Sequence, residues 1–278
     1  MRVVRASVLG MCFGVRHALG VVRGLEDPSA VTIWGELVHN AEVLRELDER
    51  GFARVPEHAR GFPPPSPAVL VTAHGISEAE RERLRGAGKE VIDTTCPLVR
   101  RVHEAAKSMR DEGLLVVIVG RRGHVEVEGV RGDVPGCEVL EDESEARPFD
   151  AERIGIVCQS TTPPALAERV VRAVRERNPG KDVRFEDTIC EPTRNRQEAV
   201  ARLLDEVEAL VVVGGANSNN TRALVALAES RGIPARRVAC AAELDRAWLA
   251  PFAVVGLTAG TSTLDRCVDE VEAALRDA

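Results

Sequence analysis

The chain has 278 residues, of which 44% are hydrophobic and 29% charged, and its formal net charge is −7. This is the composition of an ordinary globular protein of about two domains by length alone, and its acidity argues against wrapping around nucleic acid. No apolar run approaches the ~20 residues of a membrane helix. The N-terminal MRVVRASVLGM is too short in its apolar part to be a secretion signal and reads as a strand, so a cytoplasmic location is expected. Seven cysteines (Cys12, Cys96, Cys137, Cys158, Cys190, Cys240, Cys267) are scattered along the chain. An odd number in an intracellular protein speaks against a disulfide framework, and the lack of any CxxC speaks against a zinc ribbon or a ferredoxin-type motif.

Taken in order, short β-branched runs alternate with charged, helix-like runs. AVLVTAHG, LLVVIVG, RIGIVCQ, ALVVVGG and FAVVGLTAG are continuous apolar runs, as expected of parallel strands buried on both faces. Segments such as SEAERERLRGAG and TRNRQEAVARLLDEVEA carry helical periodicity. GFPPPSP, at 61–67, reads as an exposed loop before the AVLV strand.

A longer period is superimposed on this βα alternation. Three strand–cysteine–helix units recur, around Cys12, Cys96 and Cys190, at intervals of 84 and 94 residues. Two polar loops follow each cysteine. After Cys12 come GELVHN (His39, Asn40) and TAHG (His74). After Cys96 come GRRGHVEVEG (His124, Glu126) and CQSTT (Ser160, Thr161). After Cys190 come GGANSNNT (Ser218, Asn219, Asn220) and AGTST (Ser262). The first loop of each third falls 27, 28 and 28 residues after its cysteine, taking His39, His124 and Ser218 as markers. The chain therefore reads as three similar α/β domains with mostly parallel sheets: 13–96, 97–189, and 190–278 completed by the N-terminal strand 1–12. Ligands of open parallel sheets bind beyond the carboxyl ends of the strands. If the three units face one another around a pseudo-threefold axis, the cysteines and polar loops share one cavity.

Three thiolates can hold a [4Fe–4S] cluster at three of its irons and leave the fourth open to substrate. On ligand type alone, a three-cysteine zinc site with a water is an alternative. His39, His74, His124, Ser218, Asn220 and Ser262 supply hydrogen-bond donors, several at helix N-termini, which suits a diphosphate. Glu126 is the nearest acid, and a carboxyl in a desolvated site can stay protonated and deliver a proton, relayed by Ser160 or Thr161. In an extended loop, Glu126 and His124 would point to the same side. Cys158 and Cys267 read as buried small hydrophobes, and Cys137 and Cys240 have no role. His58 and His103 read as solvated or capping residues, and His17 as either near the Cys12 turn or on a helix surface.

These motifs strongly resemble the 4-hydroxy-3-methylbut-2-enyl diphosphate reductase family, which completes the methylerythritol phosphate route to isoprenoids. The resemblance spans nearly the whole chain: GMCFGV, ELVHN, TAHG, DTTCPLV, GHVEVEG, ICEPTRNRQEA, ANSNNT and TAGTS, in order. It implies three α/β domains around a central [4Fe–4S] cluster held by Cys12, Cys96 and Cys190. It also implies a diphosphate bound by His39, His74, His124, Ser218, Asn219, Asn220 and Ser262, and Glu126 as proton donor with Ser160 beside it. The implied reaction is a two-electron, two-proton removal of the allylic hydroxyl, giving isopentenyl and dimethylallyl diphosphates. No flavin or nicotinamide fingerprint is present, so a separate ferredoxin or flavodoxin is the expected electron donor, with neither nucleic acid nor membrane as partner. The family usually has Thr where Ser160 stands, Ser where Asn219 stands and commonly Arg where His17 stands. These departures leave one alternative, a paralogue of the same fold and cluster that uses another substrate or acts as a non-catalytic sensor.

Overall fold

The computed structural model describes residues 1–277. Its twelve described strands form three four-stranded sheets, and every strand pair in them is parallel. One sheet comprises β2 (Val31–Trp34), β3 (Ala53–Val55), β4 (Ala68–Val71) and β5 (Glu90–Asp93), in the order β3-β2-β4-β5. A second comprises β6 (Leu115–Val119), β7 (Glu138–Leu140), β8 (Arg153–Cys158) and β9 (Asp182–Phe185), ordered β7-β6-β8-β9. The last comprises β10 (Ala209–Val213), β11 (Ala235–Val238), β12 (Val254–Ala259) and β1 (Arg2–Arg5), ordered β1-β12-β10-β11. The three orders are the same plan, with β1 standing where a strand after β12 would stand. In register, Arg2 is opposite Val254 and Arg5 opposite Leu257.

The sequence explains which strands lie inside. The central strands VTIW, AVLV and ALVVV are buried at every residue, as continuous apolar runs covered on both faces should be. The edge strands RVVR, EVID and DVRF carry charges and remain half-exposed, which blunts an otherwise sticky edge. Nine α-helices lie between the described strands and a tenth follows β12. Among them α4 (Pro97–Asp111) buries Val99, Val102, Ala106 and Met109 along one stripe, and α6 (Pro164–Arg177) begins on a proline, whose missing N–H costs nothing there. The 61–67 segment is loop, with Phe62 87% exposed. No described helix is long and apolar enough to cross a membrane.

The chain divides into two compact units. One holds Met1–Val15, His39–Glu42 and everything described from Glu191 on, and so contains the sheet closed by β1. The other holds Arg16–Val38 and Val43–Cys190, with the remaining two sheets.

Candidate active site

The same arrangement recurs at the carboxyl end of each sheet. A cysteine follows one edge strand, and polar loops follow the two central strands. Cys12 lies beyond β1 and immediately before α1 (Phe13–Arg23); Cys96 follows β5 and caps α4; Cys190 follows β9 and immediately precedes α7 (Glu191–Leu203). Each cysteine amide donates to a carbonyl in the loop of the neighbouring central strand: Cys12 to Thr261 at 2.9 Å, Cys96 to Ala73 at 3.0 Å and Cys190 to Ser160 at 2.9 Å. All three thiols are half-buried, and none of the seven cysteines forms a disulfide.

Two of these turns are braced by motif residues to which the sequence reading gave no role. Asp93 accepts from the amide and hydroxyl of Thr95 at 2.9 and 2.6 Å, and Arg81 and Arg100 contact its other oxygen at 3.0 and 2.9 Å. Burial would raise the Asp93 carboxyl, but these bonds and cations outweigh it and hold it below the ordinary range. Arg196, 4% exposed, donates to the Gly10 carbonyl two residues before Cys12 and to Pro192. The signal for Arg196 was an arginine in the buried stripe of Ala199, Val200 and Leu203 on α7.

In the unit that holds Cys96 and Cys190, the polar loops converge on a carboxyl group. Glu126 is 2% exposed. Its oxygens accept the Ser160 amide at 2.6 Å and the Ser160 hydroxyl at 3.0 Å, and the Ser160 carbonyl takes the Cys190 amide. Burial pushes the Glu126 carboxyl above the ordinary range, against the opposing pull of the Ser160 bonds and of the His103 charge. His124 meets His74 edge to face, ring centroids 5.7 Å apart. The 125–133 segment is not the extended loop that its sequence suggests: it is helix α5 (Val125–Asp133), and the His124 ring nitrogen caps it by accepting the Glu126 amide at 3.2 Å. A capped helix satisfies amides that an extended loop would leave open. His124 and Glu126 thus lie at the cap and in the first turn. His103 is also not solvated; it is 7% exposed on α4 and contacts Asp133.

In the other unit, Cys12, His39, Ser218, Asn220 and Ser262 belong to one network. Asn220, 1% exposed, accepts from the Thr261 amide at 3.3 Å, and Thr261 is the residue whose carbonyl takes the Cys12 amide. Ser218 caps α8 (Asn219–Ser230) through the Thr221 amide at 3.2 Å, placing half-buried Asn219 at the first helical residue. Ser262 donates its hydroxyl to the His39 carbonyl at 3.3 Å, and Asn40 donates to the Ser262 carbonyl at 2.8 Å. Gly215 makes this approach possible, since a Cβ there would stand 2.5 Å from the His39 oxygen.

The donor types suit an anionic ligand and a sulfur-ligated cofactor. The side-chain amide nitrogen of Asn220 is a buried donor with no protein acceptor, which a phosphate oxygen would complete. Three cysteines, each preceding a helix, supply the ligand type of iron–sulfur clusters. Among the described residues, no three His, Cys, Asp or Glu side chains converge as they would on a single metal ion. Of the remaining cysteines and histidines, Cys158 and Cys267 are buried, Cys137 is half-buried, and Cys240, His17 and His58 are exposed.

Fold and site together define an α/β protein built from three copies of one sheet plan, each with a cysteine at an equivalent strand end. The chain belongs to the LytB protein family, whose profile matches residues 3–276. It is 37% identical to the 4-hydroxy-3-methylbut-2-enyl diphosphate reductase of Azoarcus sp. (strain BH72), over 97% of this chain and 88% of that protein. It is 35% identical to the enzyme of that name from Ralstonia nicotianae, over 99% and 86%. Among solved structures, (E)-4-hydroxy-3-methyl-but-2-enyl diphosphate reductase, described as the terminal enzyme of the non-mevalonate pathway, superposes with a TM-score of 0.67 at 32% identity over the whole of both chains. The Plasmodium falciparum E-1-hydroxy-2-methyl-but-2-enyl-4-diphosphate reductase has the same fold, with a TM-score of 0.87 over 98% of this chain and 87% of that one, at 24% identity.

Proposed function

We propose that this protein is a cytoplasmic reductase of 4-hydroxy-3-methylbut-2-enyl diphosphate, using a [4Fe–4S] cluster ligated by Cys12, Cys96 and Cys190. The observation that carries the reading is Glu126, a fully buried carboxyl doubly bonded to Ser160, whose carbonyl in turn receives the Cys190 amide. An acid is thereby kept within one residue of a proposed ligand turn, in surroundings that favour its protonated form.

The diphosphate is held by His39, His74, His124, Ser218, Asn219, Asn220 and Ser262, all neutral or weakly basic donors. Glu126 holds the proton that the departing hydroxyl needs, and the Ser160 hydroxyl, 3.0 Å from it, orients the acid or passes the proton on. Loss of the hydroxyl as water takes two electrons and two protons and yields isopentenyl and dimethylallyl diphosphates. When bound, the cluster supplies an open iron as Lewis acid and the route for electrons. The electrons come from a separate ferredoxin- or flavodoxin-type protein, since the chain carries no G-x-G-x-x-G run.

The test is anaerobic purification, iron and sulfide analysis, and assay with the hydroxymethylbutenyl diphosphate and a reduced chemical mediator. Turnover by cluster-loaded protein is expected. A loaded protein that fails to reduce this substrate overturns the assignment.

A further inference from the structure

On helix α5, Glu126, Gly129 and Asp133 are spaced by three and four residues and therefore form one stripe. The ring of His103, from α4, occupies the middle of that stripe. It fits because position 129 has no side chain: a Cβ there would lie 3.3 Å from the His103 Cε1 and 3.5 Å from its Nε2. Gly75, the residue after His74, gives way on another side, where a Cβ would also lie 3.5 Å from Nε2. One end of the ring is fixed. Nδ1 lies 2.6 Å from Asp133 Oδ2, and Asp133 Oδ1 accepts the Glu78 amide at 2.7 Å. The other ring nitrogen, Nε2, is buried without a protein partner.

A carboxylate so placed fixes the orientation of an imidazole and the tautomer of its neutral form. Burial alone would raise the Asp133 carboxyl, but the bonds from His103 and the Glu78 amide overcome this and hold it below the ordinary range. At the other end of the stripe stands Glu126, one helical turn before Gly129, within the roughly 5–6 Å at which such neighbours interact. An imidazolium over Gly129 favours the Glu126 carboxylate; a neutral ring does not. The other titratable groups around this pair include His74 beyond Gly75, His124 at the cap of α5, Glu78 at the start of α3 (Glu78–Gly86), Arg110 of α4, which donates to the Asp133 carbonyl, and Lys107 one turn along α4, which also acts on Asp133.

We infer that the Asp133–His103 pair is a positioning dyad that governs when Glu126 releases its proton, acting across the Gly129 notch from behind the helix that carries the acid. The inference rests on Glu126 being the proton donor, but its measurement does not need turnover. In cluster-loaded protein without substrate, the Glu126 carboxyl is read by its infrared C=O band, assigned by loss of that band in Glu126→Gln, and titrated with pH. With His103→Gln the nearby positive charge is gone, so the protonated carboxyl persists to a pH about one unit or more higher than in the parent. Asp133→Asn removes the carboxylate that fixes the ring over Gly129 and shifts the band in the same direction, which keeps the test decisive if one variant does not fold. In steady state both variants lower kcat and leave KM for the diphosphate within about 2-fold, because neither His103 nor Asp133 is itself a proposed diphosphate contact. Identical band titrations in the parent, His103→Gln and Asp133→Asn overturn the inference, as does the absence of any band lost in Glu126→Gln. Should Glu126→Gln retain full turnover, the donor assignment fails, and the band titration still decides whether the dyad controls the carboxyl.

Discussion

The side-chain amide of Asn40 donates to the Ser262 carbonyl at 2.8 Å while its oxygen accepts the Glu42 amide at 2.9 Å, the second residue of α2 (Ala41–Glu49). One buried asparagine thus starts a helix and joins the His39 loop to the Ser262 loop, two of the proposed phosphate-binding segments. Asn40→Ala leaves a carbonyl and a helix amide without partners, at a cost of about 1–3 kcal/mol. It is expected to raise KM for the diphosphate about tenfold with kcat little changed, the pattern of lost ground-state binding. Gly215→Ala, whose Cβ would press on the His39 oxygen at 2.5 Å, should raise KM in the same way. Steady-state kinetics on both variants check this; an unchanged KM in both would mean that the clamp does not position the binding loops.

Glu126 opposes folding in exchange for its chemistry. Its folded-state affinity for a proton is raised by burial. Its stabilising contribution is therefore complete below the unfolded carboxyl's pKa and lost as pH rises through the folded value. Glu126→Gln keeps an oxygen for the Ser160 amide and a donor for its hydroxyl, without the charge. The variant should therefore have a higher Tm than the parent, with the gap widening from acid to neutral pH, where ~1 kcal/mol corresponds to about 2–4 °C for a domain of this size class. Its kcat should fall by about 10²–10⁴-fold with iron content intact. Calorimetry across pH, with iron analysis and kinetics on the same samples, measures all three.

Asp93 behaves in the opposite sense. Its carboxyl is held low, so what it contributes is present above the ordinary carboxylate range and is lost as pH falls through the lowered folded value. Asp93→Asn should cost about 1–3 kcal/mol at neutral pH through the weakened contacts to Thr95, Arg81 and Arg100. The difference should begin to shrink below the ordinary value of 3.8 and vanish only below the lowered folded value. Denaturant unfolding of both proteins at several pH values tests it.

The cysteines should separate by chemistry. Cys12→Ser, Cys96→Ser and Cys190→Ser should each lose iron and activity together. Cys267 donates its thiol to Glu42 at 2.6 Å, and burial beside that carboxylate pushes it up to about 12. Very little thiolate forms there at neutral pH, so Cys267 should resist alkylation, as should buried Cys158, whereas exposed Cys240 should react. Peptide mapping after timed iodoacetamide treatment of the folded protein distinguishes them, and rapid labelling of Cys267 would contradict its placement.

The strands and their order of burial were legible because parallel central strands need uninterrupted apolar runs, which AVLV and ALVVV supply. The threefold recurrence of cysteine and polar loops was legible because each loop ends a strand in the same register. What was not legible depended on contacts between distant segments. His103 falls among Val99, Val102 and Ala106 on the inner stripe of α4, so its burial could be suspected from period alone. Its partner Asp133 lies 30 residues on, and nothing local to either residue names the other. Likewise, VEVEGVRGD alternates like a strand and contains two glycines, yet it is helical. Its glycines serve close approach, Gly129 to His103 and Gly132 to Ser77, and tertiary packing outweighs their poor helix propensity.

The pairing of β1 with β12 also has a consequence for synthesis. Residues 2–5 are made well before 254–257, the strand partner they have among the described residues. Until then the β1 edge has no neighbour, and the Cys12 turn lacks the Thr261 carbonyl that fixes its amide. The Cys12 turn is therefore completed only after β12 and the loop that follows it have been made, and whatever Cys12 binds meets a finished turn only from then on.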